Sequence, residues 1–233
     1  MQEIVRGFAE IEEGQVHYRA VSRQAGATGK LLLMFPTSPL SSLSLVRLIE
    51  RIGRTRPIIA FDTLGQGDSC APAIPDPDID YFADAAYRAY RASGLSEEDF
   101  DLFGTHTGAR LALEFGLHHP GKTTRLILDG MGVSDGFYET YAQSVDLSGL
   151  IDQDGTQFLK AWQKTRDGHI FWPPYERDAE HLRGRGLPSA EILHDEAFQV
   201  FQSIRAGHLA YRAAMSYPAR ERLPKITIPT LIA

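Results

Sequence analysis

Apolar positions along the chain follow three patterns. Short alternating runs, Phe8 to Ile11 and Val16 to Ala20, flank the turn "EEGQ" and predict a β-hairpin. Continuous apolar runs follow at Leu31 to Phe35 ("LLLMF"), Pro57 to Asp62 ("PIIAFD"), Phe100 to Phe103 and Arg125 to Asp129 ("RLILD"). Runs this short and this apolar predict strands covered on both faces. Between them the spacing turns helical, through Leu45, Leu48, Ile49 and Ile52 up to Gly53, over Tyr81 to Ala92, and over Thr107 to His118. Strand and helix in alternation predict an α/β fold, a mostly parallel sheet with helices on both faces.

The alternation stops near Ser134. From there to about Arg222 the chain is polar, aromatic-rich and helical in spacing, clearest in "FLKAWQ" and "AFQVFQSIRAGHLAYRAAM", with no buried strand in the pattern. That segment predicts helices inserted over the sheet. Ile226 to Ala233 ("ITIPTLIA") then returns to strand character. The expected organisation is a core over 1–133, a helical cap over 134–222 and a return to the core sheet over 223–233. Because the chain halts inside an apolar β-run with no turn after it, it reads as a shortened form of a longer α/β architecture whose C-terminal strand or strands are missing. The plainer alternative is an edge strand that ends there.

Composition narrows the partners. With 233 residues, 43% of them hydrophobic, the chain can bury a substantial core as one domain with an insertion. A formal net charge of -6 gives no electrostatic footprint for nucleic acid, and no Lys/Arg-rich run suggests an anionic membrane surface. No stretch is apolar and long enough to span a bilayer. Cys70 is the single cysteine and cannot form an internal disulfide, and the charged start "MQEIVRGFAEIEEG" lacks a signal-peptide core. A cytoplasmic protein with a small apolar molecule as partner is the expectation. Eight histidines carry no H-E-x-x-H and no paired cysteine spacing, so neither metal nor cofactor is expected.

The candidate chemistry sits in "DLFGTHTGARLAL". A predicted strand, a glycine-flanked turn and a predicted helix form the context of a nucleophile elbow, which presents its middle residue, here His106, above the sheet. Three stretches carry a resemblance to the α/β-hydrolase superfamily, in the cap-bearing branch that includes C–C bond hydrolases, epoxide hydrolases and haloalkane dehalogenases. They are "DTLGQGDS", similar to that family's D-x-x-G-x-G-x-S loop after the fourth strand, "FGTHTGA" at the elbow, and "RLILDG" at the sixth strand. The likeness runs from about Phe8 to Ala233 and implies an α/β-hydrolase-like sheet beneath a cap.

Three departures qualify it. The family places Ser, Asp or Cys at the elbow, where this chain has His106. The family's His-Gly before the oxyanion loop is Phe35-Pro36, and proline has no N–H to donate. The family's usual triad acid after the seventh strand and histidine after the eighth would fall beyond Ala233. The resemblance implies that the Thr107 N–H, with a second donor from Thr37 or Ser38, holds developing negative charge, and that Asp129 sits where some family members place their acid. Asp129 alternatively caps the loop "DGMG". Trp162, Phe171, Trp172 and Tyr175 in the cap are candidates for an apolar lid over a substrate, or for packing of cap on core.

Two functions follow. One is an enzyme acting on a small apolar ester or carbonyl substrate, with His106 as base, water activator or covalent nucleophile. The other is a non-catalytic ligand-binding protein of the same fold. "GLHHPGKT", from Gly116 to Thr123, matches the P-loop letters, but a helix precedes it and a strand follows, the reverse of what phosphate binding needs. "GQG" at Gly65 to Gly67 opens no helix with a third glycine. His118 and His119 read as residues of a helix C-terminus.

Overall fold

The structure is a computed structural model and describes residues 3–133 and 146–233. Its centre is a seven-stranded sheet in the order β1-β2-β4-β3-β5-β6-β7. The strands are β1 (Val5–Ile11), β2 (Gly14–Val21), β3 (Leu31–Phe35), β4 (Ile58–Phe61), β5 (Phe100–Thr105), β6 (Thr123–Asp129) and β7 (Thr230–Ile232). β1 and β2 form the antiparallel hairpin, β2 joins β4 antiparallel, and every further pairing is parallel.

The uninterrupted apolar runs are explained by what covers each face. Along β3, Leu31, Leu33 and Phe35 belong to one apolar cluster, while Leu32 and Met34 belong to another on the opposite face. Because strand side chains alternate, only a strand buried on both sides needs apolar residues at every position. Helix α1 (Val46–Ile52) supplies Ile49 to the second cluster. Helices α2 (Ile79–Ala92) and α3 (Thr107–His118) fill the first, where the rings of Tyr90, Phe100 and Phe115 meet edge to face.

Beyond β6 lie α4 (Thr156–Ile170), α5 (Ala190–Gln202), α6 (Gly207–Met215) and the short α7 (Ala219–Arg222). The long helical pattern "AFQVFQSIRAGHLAYRAAM" is two helices, because the chain bends at Ser203 to Ala206. There the Ser203 hydroxyl donates to the Pro39 carbonyl at 2.9 Å and Gly207 rests on Pro39. α6 places Ala210, Ala213 and Ala214 in the same cluster as α2 and α3, so this helix packs with the core. β7 is three residues long and lies at the sheet edge with Leu231 and Ile232 exposed. No helix of the described residues is long and apolar enough to cross a membrane.

Candidate active site

Between the end of β5 and the start of α3 stands one residue, His106. Its φ of 50° and ψ of -105° make it the only non-glycine residue with positive φ among the described residues. Two glycines permit the turn. A β-carbon on Gly104 would strike the Gly108 carbonyl, and one on Gly108 would strike the carbonyls of Phe35 and Pro36, so the turn closes on itself and on the end of β3 at once. The His106 N–H donates to the Asp129 carbonyl at 2.8 Å. Arg110 donates to the carbonyls of His106 and Gly132, each at 3.0 Å, and so ties this turn to the loop after β6. The imidazole is exposed at this edge of the sheet.

Thr107 opens α3, and the N–H groups of a helix's first turn have no acceptor within the helix. Its neighbour Gly108 touches the carbonyls that lead into Thr37 and Ser38, which brings those two residues to the same edge. Ser38 is buried and its hydroxyl accepts from the Gln66 side-chain amide; Thr37 is half-buried. The Asp129 carboxylate forms no hydrogen bond or ion pair among the described residues; the backbone of Asp129, not its side chain, bonds His106. Proximity is therefore present, while an Asp129-to-imidazole hydrogen bond is not formed.

Helix α5 is tied to the loop after β3 through Gln199, whose side-chain oxygen accepts from the N–H and hydroxyl of Ser41 at 3.0 and 2.9 Å. Of the four aromatic lid candidates, Phe171 and Tyr175 are half-buried, Phe171 being bridged to Leu182. Trp162 and Trp172 are 39% and 46% exposed, and the Arg183 guanidinium lies 5.5 Å from the Trp172 ring centre. Residues 134–145, the start of the expected cap, lie outside the described residues.

No protein-family model and no curated protein sequence matches the chain. Solved structures do match. The chain is similar to a hydrolase from Pseudomonas aeruginosa PA01 at 16% identity, over 97% of this chain and 78% of that one, with a TM-score of 0.72. It is similar to the enol-lactonase from Burkholderia xenovorans LB400 at 14% identity, over 97% and 80%, with a TM-score of 0.72. An esterase from Exiguobacterium antarcticum matches at 18% identity, over 98% and 80%, with a TM-score of 0.67. The chain has the α/β-hydrolase fold.

Within this α/β-hydrolase fold the structure brings forward residues that the sequence reading gave no role. Asp62, first residue of "DTLGQGDS", is buried and accepts from His17 Nδ1 at 2.8 Å and from the N–H groups of Ser42 and Asp68 at 2.7 and 3.1 Å. Burial alone would raise its pKa, but the hydrogen bonds from His17 and Ser42 outweigh it and hold the carboxyl below its ordinary range. His17 Nε2 accepts from Arg6 at 3.0 Å, which assigns the ring proton to Nδ1. Gly67 is required because a β-carbon there would strike the Asp62 carboxylate. The motif marked this loop; its partner His17, on β2, carries no local signal.

His208 is mostly buried at the start of α6, with its Nδ1 3.5 Å from Asp146. The Lys164 amine on α4 is drawn down to about 8 by desolvation, against the opposing charge of Asp146.

Among the described residues, three groups have ligand atoms within 4.8 Å of one another, His17–Asp62–Asp68, Asp80–Glu114–His118 and Glu176–Asp178–His181. In the first, Arg6 bonds both His17 and Asp68. In the second, the buried Glu114 is bonded by Arg222 and by the Tyr217 hydroxyl. A guanidinium on the shared donors is the chemistry of an ion-pair network. The P-loop letters also resolve structurally. Gly116 is inside α3 and Thr123 begins β6, so helix leads into strand as the pattern implied. His118 pairs with Asp80, while His119 stacks on Tyr87 at 3.8 Å and is pushed below its ordinary pKa by burial first and by the neighbouring charges of His118 and Lys122.

Proposed function

We propose that this chain is a hydrolase-type enzyme for a small, largely apolar ester or carbonyl substrate, with His106 as the reacting side chain. One observation carries the reading: a non-glycine residue held at positive φ, at the C-terminal end of a parallel strand and the start of a helix. Such backbone costs about 1–3 kcal/mol and persists where the surroundings over-determine it, characteristically at reacting groups. The names of the neighbours, an enol-lactonase, an esterase and an epoxide hydrolase, fit that reaction class.

In the proposed reaction the free imidazole nitrogen takes a proton from water as the hydroxide adds to the substrate carbonyl. The resulting oxyanion is held by the Thr107 N–H and a donor from Thr37 or Ser38, near the positive end of α3. Collapse breaks the bond to the leaving oxygen, which takes the proton back from the imidazolium. Asp129 is proposed to help position His106 from the end of β6, where its backbone carbonyl accepts from the His106 N–H at 2.8 Å. Phe171, Tyr175, Trp162 and Trp172 are proposed to shape the apolar side of the site from the cap.

The competing reading, a ligand-binding protein without turnover, draws on the missing hydrogen bond between Asp129 and the imidazole and on Pro36, which offers no N–H. A panel of esters, epoxides and 1,3-diketones assayed with the parent protein and with His106→Ala separates the two. Turnover that vanishes in the variant while ligand binding stays supports catalysis by His106. Ligand binding without turnover in both supports the binding protein, and turnover that survives in His106→Ala removes His106 from the chemistry.

A further inference from the structure

The two peptide planes that flank His106 are each held by a separate contact. The His106 N–H donates to the Asp129 carbonyl at 2.8 Å, which fixes the plane before it. The plane after it is fixed at the His106 carbonyl, which accepts from the Ala109 N–H at 3.1 Å and from the Arg110 guanidinium at 3.0 Å. Rotating His106 out of its φ of 50° and ψ of -105° would swing that carbonyl away from the guanidinium. The second prong of the same guanidinium donates to the Gly132 carbonyl at 3.0 Å, and the Gly132 N–H donates to the Gly130 carbonyl at 3.0 Å. Gly130 is the residue against which the His106 ring lies. One side chain thus grips both the residue that bears the imidazole and the turn on which the imidazole rests.

A cation is costly at this place. Arg110 is 4% exposed, so its charge has little contact with water, and it stands in the opening turn of α3, beside the positive end of the helix dipole, where an anion would be favoured. The charge-assisted bonds to the two carbonyls offset that cost. The shape of the group matters as much as its charge. A guanidinium presents donors on two nitrogens in one fixed plane, whereas a lysine ammonium is a single point on a flexible stem and does not reproduce a two-pronged grip.

We propose that Arg110 is a positioning residue: by clamping the carbonyls of His106 and Gly132 it holds the imidazole over Gly130 and so sets how the ring meets a substrate. The proposal rests on His106 being the reacting side chain, and two readouts separate its failure from the failure of that reading. The first needs no turnover. In the parent the Hε1–Cε1 NMR signal of His106, assigned by its loss in His106→Ala, is expected to be a single peak. In Arg110→Lys and Arg110→Met it is expected to shift or split, while the signal of the buried His17 stays in place. Arg110→Lys keeps the charge and so keeps the test open should Arg110→Met fold poorly. The second readout is hydrolysis of the ester that the parent cleaves best. There kcat is expected to fall at least about tenfold in both variants with KM within about twofold of the parent, because a displaced base loses rate without losing substrate contacts. A His106 signal unmoved in the folded variants overturns the proposal, and so does a kcat equal to that of an active parent. A displaced signal in a protein whose parent shows no turnover upholds the clamp and tells against His106 as the reacting side chain.

Discussion

The imidazole of His106 lies directly over the α-carbon of Gly130: a β-carbon at position 130 would stand 2.7 Å from both Cε1 and Nδ1 of the ring. Gly130 also has a φ of 65°, and its N–H donates to the Ala233 carbonyl at 3.0 Å. The glycine therefore serves two demands, a backbone that L-residues resist and a surface on which the ring can lie.

Gly130→Ala is expected to lower stability by about 1 kcal/mol from the positive φ and to displace the imidazole. Urea melts measure the first effect. Turnover or ligand affinity measures the second, with a drop larger than the stability loss accounts for.

Replacing His106 separates strain from chemistry. His106→Gly removes the φ penalty at an exposed position where little packing is lost, and a gain of about 1 kcal/mol in unfolding free energy is expected. His106→Val, with a β-branched side chain at the same φ, is expected to lose stability. Both are expected to abolish turnover, by at least about a hundredfold if the imidazole is the general base. A glycine variant no more stable than the parent would show that the conformation carries no strain.

Acid sensitivity is expected from Glu13. Arg88 holds its carboxylate through two bonds, at 2.6 and 2.7 Å, and lowers its pKa to about 2. A carboxyl whose folded pKa is depressed stabilises the fold above its unfolded pKa of about 4.3 and loses that contribution as pH falls toward the folded value. Stability should therefore fall between pH about 4.5 and pH about 2, by on the order of 2 kcal/mol from this group. Glu13→Gln should flatten that part of the profile, measured by thermal melts across the range. Asp62, also depressed, adds a loss of the same sign.

Asp62→Asn tests the buried network. The amide retains one acceptor where the carboxylate served His17, Ser42 and Asp68, and it places N–H groups against existing donors. A loss of about 3 kcal/mol is expected by chemical denaturation, because the partners left behind are buried. A near-neutral result would show that the loop after β4 holds its shape without the charge.

The amino-acid order by itself determined the alternation of strands and helices, the hairpin at the N-terminus and the tight turn between β5 and α3. These are local properties: an apolar run such as "LLLMF" needs no knowledge of its neighbours to be a doubly covered strand, and two glycines around His106 mark a tight turn wherever the chain goes. What the tertiary structure decided depends on pairs far apart in sequence. Asp62 meets His17 only because β2 lies beside β4, and the helical pattern from Ala197 onward splits only because Ser203 and Gly207 dock on Pro39. The strand expected over Ile226 to Ala233 shortens to Thr230–Ile232. At the end of β6 the fold uses the Asp129 backbone carbonyl to hold the His106 N–H and leaves the Asp129 side chain unbonded to His106. Hydrophobic period is encoded residue by residue, whereas a hydrogen bond is a matter of tenths of an ångström set by the packing of whole elements.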